Sequence, residues 1–299
     1  MRDLNPRPLL CKSTALPTEL IARLVRPLGA RFLCLLSNVA YINLMSNKID
    51  IIYEDSDCLV INKPAGLMVH PDGRSDGPFL TDWIVERYPD AANVGEPARG
   101  PDGAALNRAG IVHRLDRDTS GCLVIAKTVE GFSRLKAEFQ DRVVSKKYLA
   151  FVWGELKEEF GTVNRPIGRN SNDFRKWSAQ RGARGDLREA ETYWTRLWTG
   201  REAATADGSA GEKFSLVEAE PKTGRTHQIR VHLLSIHHPI IGDTLYVPNR
   251  PMALGFNRQA LHARSIEFEA PSGKRVKALA PLPTDFKAAY KALGIAMPL

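Results

Sequence analysis

From Ile49 onward the chain alternates short apolar runs with polar turns, a pattern that predicts many strands and few helices. The predicted strands lie at residues 51–53, 58–62, 121–127, 148–154, 192–197, 214–220, 265–270 and 275–279. Apolar residues at helical spacing predict helices at residues 80–88, 129–139, 227–236 and after Thr284. Because the strands outnumber the helices and are joined mostly by turns, we expect an α+β fold with a mixed, largely antiparallel sheet.

Two details of the helices can be read from single residues. Thr226 and Thr284 are the predicted N-caps of the last two helices. On the helix after Thr226, Ile229 and Leu233 should face the core, which leaves Arg230 near the edge of that face.

The first 48 residues do not fit this pattern. Residues 33–45 are mostly apolar, but the run is shorter than the roughly 20 residues that span a bilayer. Residues 1–31 resemble a transit peptide in being rich in arginine and poor in acids, yet four prolines interrupt any amphipathic helix. A third interpretation, which we favour, makes Met45 the true initiator. We therefore expect residues 1–48 to be a poorly ordered extension or a mis-assigned start, and residues 49–299 to form one functional domain.

The formal charge of +8 suggests an anionic partner, with nucleic acid first. Half of this charge lies in residues 1–44, which hold six basic and two acidic residues, so residues 45–299 carry 36 basic and 32 acidic residues. Bulk charge is therefore a weak argument, and the placement of the cations matters more. The four cysteines show no Cys-x-x-Cys or Cys/His spacing, which indicates a reducing compartment, expected to be the cytoplasm, and no structural zinc site.

The stretch HRLDRDTSG, residues 113–121, places Asp116 between two arginines. Neighbouring guanidinium groups lower the pKa of a carboxyl group, so Asp116 should be ionised at neutral pH. An ionised carboxylate can act as a nucleophile or as a base. On spacing alone a charged turn is the better interpretation, in which the two aspartates bond the amides of Thr119 and Ser120. We expect His113 to be a structural histidine rather than a catalytic base.

A second stretch, TGRTHQIRVHL at residues 223–233, combines a turn with the start of a helix. An arginine such as Arg230 on a packed helix suits a fixed ion pair with a carboxylate or a contact with phosphate. The alternative is a solvated helix face. His227 and His232 are five residues apart, which is poor spacing for a metal ion on a helix, so we expect them to form hydrogen bonds or to pack.

Six stretches resemble, in the same order, the motifs of the RluA-type pseudouridine synthases, and the resemblance covers about residues 49–288. They are INKPAGLMVHP (61–71), HRLDRDTSG (113–121), KKYLAFVWG (146–154), TGRTHQIRVHL (223–233), HPIIGD (238–243) and LHA (261–263). Each is weak alone, but six in order are specific. The resemblance implies the pseudouridine synthase fold, with an active-site cleft across the central sheet. It also implies isomerisation of uridine in rRNA or tRNA without a cofactor or a metal.

Residue roles follow from the same resemblance. It implies that Asp116 is the catalytic carboxylate, acting on the ribose as a nucleophile or as a base. Tyr148 would stack on the target base or hydrogen-bond it, and Arg230 would pair with the carboxylate. Arg114 matches the residue that enters the RNA helix as the target base leaves it, an extrusion that costs a few kcal/mol.

We also expect Arg117, Thr119, Arg225 and His227 to contact the RNA. Residues 161–186 are predicted to form a loop-rich insertion with six cations and two acids, a candidate surface for tracking phosphates. Within this insertion we expect Arg169, Arg175 and Lys176 to contact the RNA. The alternative is that the insertion is a solvated loop. The expected partner is RNA, with no membrane and no obligate protein partner, so we expect a monomer.

Many relatives carry a small RNA-binding module before the catalytic domain, and residues 1–48 are too short for a complete one. Recognition should therefore rest on the catalytic domain. Two other functions stay open. A non-catalytic RNA-binding protein would have lost Asp116, Tyr148 or Arg230, and all three are present. A hydrolase would need a second well-placed acid or a metal cluster, and Asp118 is the one near neighbour of Asp116 in the sequence.

Overall fold

The computed structural model of this protein describes residues 49–71, 77–99, 103, 105–106, 108–180, 183–201 and 211–297. The predictions for residues 1–48 lie outside these ranges. The strands are β1 (Asp50–Glu54), β2 (Cys58–Lys63), β3 (Ala98–Arg99), β4 (Ala105–Leu106), β5 (Ser120–Ala126), β6 (Ser145–Trp153), β7 (Phe160–Asn164), β8 (Ile167–Arg169), β9 (Trp177–Ser178), β10 (Arg184–Arg188), β11 (Glu191–Arg201), β12 (Lys213–Pro221), β13 (Leu261–Glu269) and β14 (Arg275–Leu279). The helices are α1 (Leu80–Arg87), α2 (Val129–Gln140), α3 (Gln228–Ser235) and α4 (Thr284–Ala292), with a 3-10 helix at Pro89–Asn93.

Nine strands form one sheet in the order β1-β2-β5-β13-β6-β12-β11-β7, with β14 paired to β13. Among the described pairs of this sheet, β5 and β13 run parallel and the others antiparallel. The predicted α+β fold with a mixed, largely antiparallel sheet is confirmed. β5 is buried along its whole length because it lies between β2 and β13, which explains its unbroken apolar run.

Two apolar cores pack against different parts of this sheet. The first includes residues of β2, β5 and α1, and the second includes residues of β6, β12, α3 and α4. Tyr148 on β6 packs against both cores. The loop before β5 carries Asp116, and α3 carries Arg230, so residues supported by different cores meet at the sheet.

The predicted loop-rich insertion at residues 161–186 contains parts of four strands, β7 to β10, so the prediction is wrong for the positions that these strands occupy. β7 joins the main sheet beside β11, while β8, β9 and β10 form a second sheet in the order β10-β8-β9. All five residues of β10 are exposed, so this strand lacks the alternation of buried and exposed positions that marks a strand in a sequence.

Both predicted N-caps are wrong by one residue. His227, in the left-handed region at φ 56°, is the N-cap of α3, and the side chain of Gln228 accepts hydrogen bonds from the Arg225 amide and the Thr223 hydroxyl. This turn leaves Thr226 outside the helix. At α4 the N-cap is Pro283, whose extended backbone places Thr284 inside the first turn.

Candidate functional site

The loop that carries Asp116 is a tight turn that leads into β5. The Thr119 amide donates to the backbone carbonyl of Asp116 at 3.1 Å, which leaves the Asp116 carboxylate free to point elsewhere. The turn enters β5 at Gly121, where φ is +113° and a Cβ atom would lie 2.2 Å from the Ala263 carbonyl oxygen. Only glycine fits that contact. The charged turn expected from spacing is therefore real, but it is made by the backbone and not by the Asp116 side chain.

One side of this loop is held by a buried lysine. Lys63 is fully buried at the end of β2, and its ammonium group donates to the carbonyl oxygens of Pro64, Leu67 and Arg117 at 2.8, 2.8 and 2.9 Å. The Gly66 amide also donates to the Arg117 carbonyl, at 2.9 Å. These contacts fix the backbone of the residue that follows Asp116.

The other side of the loop is held by Arg258. Its guanidinium donates to the Asp118 carbonyl at 2.8 Å and to the Ser120 hydroxyl at 3.2 Å. The same group pairs with the Asp285 carboxylate on α4 at 2.7 Å, so the loop is tied to the last helix.

Two residues that follow Arg258 in the sequence also contact the loop that carries Asp116. Gln259 donates to the Thr119 hydroxyl at 2.8 Å, and His262 Nδ1 lies 2.9 Å from the Ser120 hydroxyl. Thr119 is 2% exposed and held in this way, so its present contact is structural.

Arg230 lies between two carboxylates. Its Nη1 donates to Asp116 Oδ2 at 2.9 Å, while Nε and Nη2 donate to the two oxygens of Asp243 at 2.7 and 2.8 Å. The guanidinium also lies 5.0 Å from the centre of the Tyr246 ring. Arg230 is 6% exposed, which corrects the expectation that it lies near the edge of the helix face. Its charge has to be compensated at that depth, and the two carboxylates do so.

The positive neighbours decide the ionisation of Asp116, whose side chain is 20% exposed. Burial alone would raise the pKa of this carboxyl group, but His227, Arg230 and Arg114 together lower it below its ordinary value. Burial lowers the pKa of His227 to about 4, against the opposing effect of Asp116, so the imidazole is neutral at neutral pH. The two arginines therefore keep Asp116 ionised under those conditions.

His227 and Tyr246 form a second contact around the carboxylate. His227 Nε2 lies 4.0 Å from Asp116 Oδ2, and His227 Nδ1 lies 2.9 Å from the Tyr246 hydroxyl. The amide of Trp177 on β9 donates to the same hydroxyl at 3.0 Å. The small second sheet is therefore connected to the site through Tyr246, although its cations are not.

Tyr148 lies on β6, between β12 and β13, and lines the same cleft as Asp116. Burial, and next the charge of Asp116, raise the pKa of its phenol. The group is therefore protonated at neutral pH and can donate a hydrogen bond. His113 is structural, as expected: its Nε2 accepts from the Val124 amide at 2.8 Å, and its ring stacks on Phe139.

Two adjoining cavities, of about 600 and 540 Å³, meet at Asp116, Arg230 and His227. The larger one is lined by Tyr148 and, among the described residues, by one acid, Asp116. Its cationic lining residues are Arg108, Arg114, Lys136, Arg142, Lys146, Lys222, Arg225 and Arg230. The placement of charge, rather than its total, therefore makes this cleft suitable for a polyanion.

The predicted RNA-binding residues divide into two groups. Arg114, Thr119, Arg225 and His227 line the larger cavity, and Arg117 lines the smaller one. The remaining three, Arg169, Arg175 and Lys176, line neither cavity. Arg175 pairs with Asp173 at 2.9 Å, and Arg169 lies 4.2 Å from the Trp177 ring.

Sequence reasoning missed several residues of the site. Asp243 was part of a quoted motif but had no role, and the wall cations Lys136, Arg142, Lys146 and Lys222 were not singled out. The clearest available signal was the position of Lys146 two residues before Tyr148 on one strand, because such residues share a face of the sheet.

The described residues hold no group of three or more His, Cys, Asp or Glu side chains arranged to bind a metal ion. In the same part of the chain, no helix has the length and apolar character needed to cross a membrane.

Comparisons with known proteins agree with this geometry. The sequence profile of the RNA pseudouridylate synthase family matches residues 57–235. A ribosomal large subunit pseudouridine synthase D of Xanthomonas campestris is 39% identical over 258 residues, covering 82% of this chain and 69% of the relative. An uncharacterised RNA pseudouridine synthase of Synechocystis is 37% identical over 241 residues, covering 80% of this chain and 67% of the relative. Among solved structures, human RNA pseudouridylate synthase domain containing 4 has a TM-score of 0.63 at 25% identity, covering 87% of this chain and all of that one.

Proposed function

The chain belongs to the RNA pseudouridylate synthase family and is an isomerase that acts on RNA, and from that premise we propose that it converts a uridine of large-subunit ribosomal RNA to pseudouridine, with Asp116 as the catalytic carboxylate. Two of the relatives carry the name ribosomal large subunit pseudouridine synthase D, which supports this choice of substrate. We further propose that it works without a cofactor, as a monomer in the cytoplasm, and that transfer RNA is the alternative substrate.

The observation that carries the proposal is the Asp116 carboxylate itself. Among the described residues, the other charged residues that line the larger cavity are all cations, and Arg230 donates a hydrogen bond to one oxygen of Asp116 at 2.9 Å. A phosphate backbone is attracted to such a cleft, while the single carboxylate remains available for reaction with a sugar. A carboxylate in the cation-rich larger cavity does not help to bind RNA, so its presence there supports a chemical role.

The reaction needs no net redox change. The bond from the ribose C1′ to the base N1 breaks, the base rotates, and a new bond forms from C1′ to C5. The hydrogen of C5 leaves and N1 gains one. An ionised Asp116 can attack C1′ as a nucleophile or remove a proton from the ribose as a base. Both routes need the carboxylate in its ionised form, which the lowered pKa supports.

Tyr148 and Arg230 have complementary proposed roles. The neutral phenol of Tyr148, at the junction of the two cores, would contact the extruded base and donate a hydrogen bond to it. Arg230 holds the carboxylate in position and balances its charge. Arg114, exposed at the mouth of both cavities, would fill the space that the base leaves in the RNA.

The test measures release of tritium from uridine labelled at C5. We expect purified protein to release tritium from a transcript of the host large-subunit ribosomal RNA without added metal. Asp116→Asn keeps the shape and the hydrogen-bonding oxygen but removes the charge, so it should abolish release while binding to the same transcript persists. Asp118→Asn, in the same turn, is the matched control and should retain activity.

Three outcomes would count against parts of this proposal. Full activity of Asp116→Asn would overturn the role of Asp116. Release from transfer RNA transcripts alone would replace the proposed substrate. Binding without isomerisation of any host RNA would favour a non-catalytic RNA-binding protein.

A further inference from the structure

The end of α2 contains a backbone conformation that its side chain disfavours. The helix ends at Gln140, and the Val143 amide donates to the Glu138 carbonyl at 3.2 Å across the turn. This is the helix-ending arrangement in which the residue before the donor adopts the left-handed region, usually as glycine. Here that residue is Arg142, at φ +61°. A side chain in this region is disfavoured by contact between Cβ and the backbone, so the arginine is costly for the fold.

Among the described residues, the Arg142 side chain has no hydrogen-bond or ion-pair partner that would offset this cost. It is exposed, and no carboxylate in the described part of the chain lies within ion-pair distance of it. It lines the larger cavity instead. Non-glycine residues in sparsely populated backbone conformations cluster at functional sites, where the side chain is needed for another purpose.

Two lysines extend this positive surface along the cavity wall. Lys146 lies on the same face of β6 as Tyr148, about 7 Å along the strand. Lys222 is the first residue after β12, and Ala219 of that strand pairs with Tyr148. Both lysines line the larger cavity, and burial, and next the charge of Lys222, lower the pKa of Lys146 to about 8. Glu220 pairs with Lys222 and compensates one of the three cations.

We propose that Arg142, Lys146 and Lys222 form a phosphate-binding surface that holds the RNA backbone on the side of the cleft next to Tyr148. This rests on the proposed function, because it presupposes that RNA enters this cleft. The surface directs the RNA over the end of α2 rather than over the second sheet, where Arg169 on β8 and the two cations between β8 and β9, Arg175 and Lys176, line neither cavity. A strand held there would present its extruded base to Tyr148 and Asp116.

The decisive variant is Arg142→Gly, because a role of the arginine in binding phosphate and a role in stabilising the fold predict different results. Glycine removes the backbone strain, so the unfolding midpoint should rise by about 2–4 °C. If Arg142 binds phosphate, the same change should weaken binding roughly three- to tenfold at moderate salt. The slope of log affinity against log salt concentration should become shallower by about 0.7–0.9. The probe is a transcript of the host large-subunit ribosomal RNA, measured by filter binding over a range of KCl concentrations.

Two matched variants separate this effect from a change in net charge. Arg134→Gln removes one exposed cation from the same helix but outside the cleft, so its salt slope should equal that of the wild type. Arg142→Lys keeps the charge and should restore most of the affinity. Adding Lys222→Gln to Arg142→Gly should reduce the slope further, but by less than a full cation, because Glu220 already pairs with Lys222.

The proposal is overturned if Arg142→Gly binds RNA with the wild-type slope, or if it lowers the unfolding midpoint, which would assign the arginine to the stability of the fold. It is also overturned if Arg134→Gln changes the slope as much as Arg142→Gly does. Failure of the proposed function would look different, because wild-type protein would then release no tritium from the transcript whatever its salt dependence.

Discussion

The ion pair of Arg230 with Asp243 offers the sharpest test of how this site is held. Asp243→Asn is nearly isosteric, but it replaces one acceptor oxygen by an amide that faces a guanidinium N–H donor. The side chains of Arg230 and Asp243 are only 6% and 1% exposed, so water cannot replace the lost partner. The variant therefore leaves a buried guanidinium with Asp116 as its remaining carboxylate.

The magnitude follows from the burial and the distances. Unit charges at close range near a protein surface interact by about 4 kcal/mol, and breaking a buried pair by removing one partner costs roughly 3–5 kcal/mol. The asparagine oxygen can keep one hydrogen bond, so we expect a loss of about 3 kcal/mol in the free energy of unfolding. For a chain of this size that corresponds to a fall of roughly 6–12 °C in the unfolding midpoint.

Catalysis should fall as well, because Arg230 positions Asp116. With Asp243 neutral, the guanidinium can turn toward Asp116 and pull its carboxylate away from the cavity. A displacement of about 1 Å at a reacting group costs on the order of a hundredfold in rate, so we expect the single-turnover rate to drop by about 10- to 100-fold. Affinity for the RNA transcript should change little, because neither Arg230 nor Asp243 is exposed to phosphate.

The assays are urea unfolding followed by tryptophan fluorescence and single-turnover tritium release. A double-mutant cycle with Arg230→Met isolates the pair, and we expect a coupling of about 3 kcal/mol, since the double variant no longer contains the buried pair. Asp243→Asn with the wild-type midpoint and rate would refute the reasoning. A loss that simply adds to that of Arg230→Met would show that the two residues act independently.

Two further predictions concern Asp116 and its loop. Because His227 and the arginines lower the pKa of Asp116, the single-turnover rate should be constant from about pH 5.5 to 8. In Arg230→Met, burial remains and raises that pKa, so the loss of activity on acidification should begin at a higher pH than in the wild type. A pH–rate profile unchanged from the wild type would exclude Arg230 as the group that keeps Asp116 ionised. Lys63→Met removes the ammonium donor from three carbonyl oxygens, of which the Arg117 oxygen keeps the Gly66 amide, so urea unfolding should show a loss of about 2–4 kcal/mol. Tritium release should be slower, while the salt slope of RNA binding stays at the wild-type value. Wild-type stability of Lys63→Met would mean that the loop is held by other contacts.

Local pattern was sufficient for the elements that position the site. β5 was visible because burial on both faces requires an unbroken apolar run, and α2 because its inward residues recur at helical spacing. β10 was missed because all its residues are exposed, so its sequence carries no such pattern.

The contacts of the site were less accessible because they join distant parts of the chain. Asp116 and Arg230 are 114 positions apart, and Arg258 reaches the Asp118 carbonyl across 140. Family resemblance supplied the pairing of Asp116 with Arg230, but no periodicity could have supplied it. Arg142 was missed for another reason: its left-handed backbone is a property of the helix end, and arginine there contradicts the glycine that a sequence would normally show.

For the catalytic role that we propose for Asp116, the arrangement of charge gives the buried ion pair a function that the exposed cations cannot serve. Before RNA binds, the exposed Arg114 helps to keep Asp116 ionised, and the wall cations line the same cavity. Phosphate contacts would neutralise these exposed groups at the moment when the carboxylate has to react, and the pKa of Asp116 would then rise. Arg230 escapes this effect because it is 6% exposed and fixed by Asp243. The carboxylate therefore keeps one counter-charge that the substrate cannot reach, which is why loss of Asp243 should affect the rate more than the affinity.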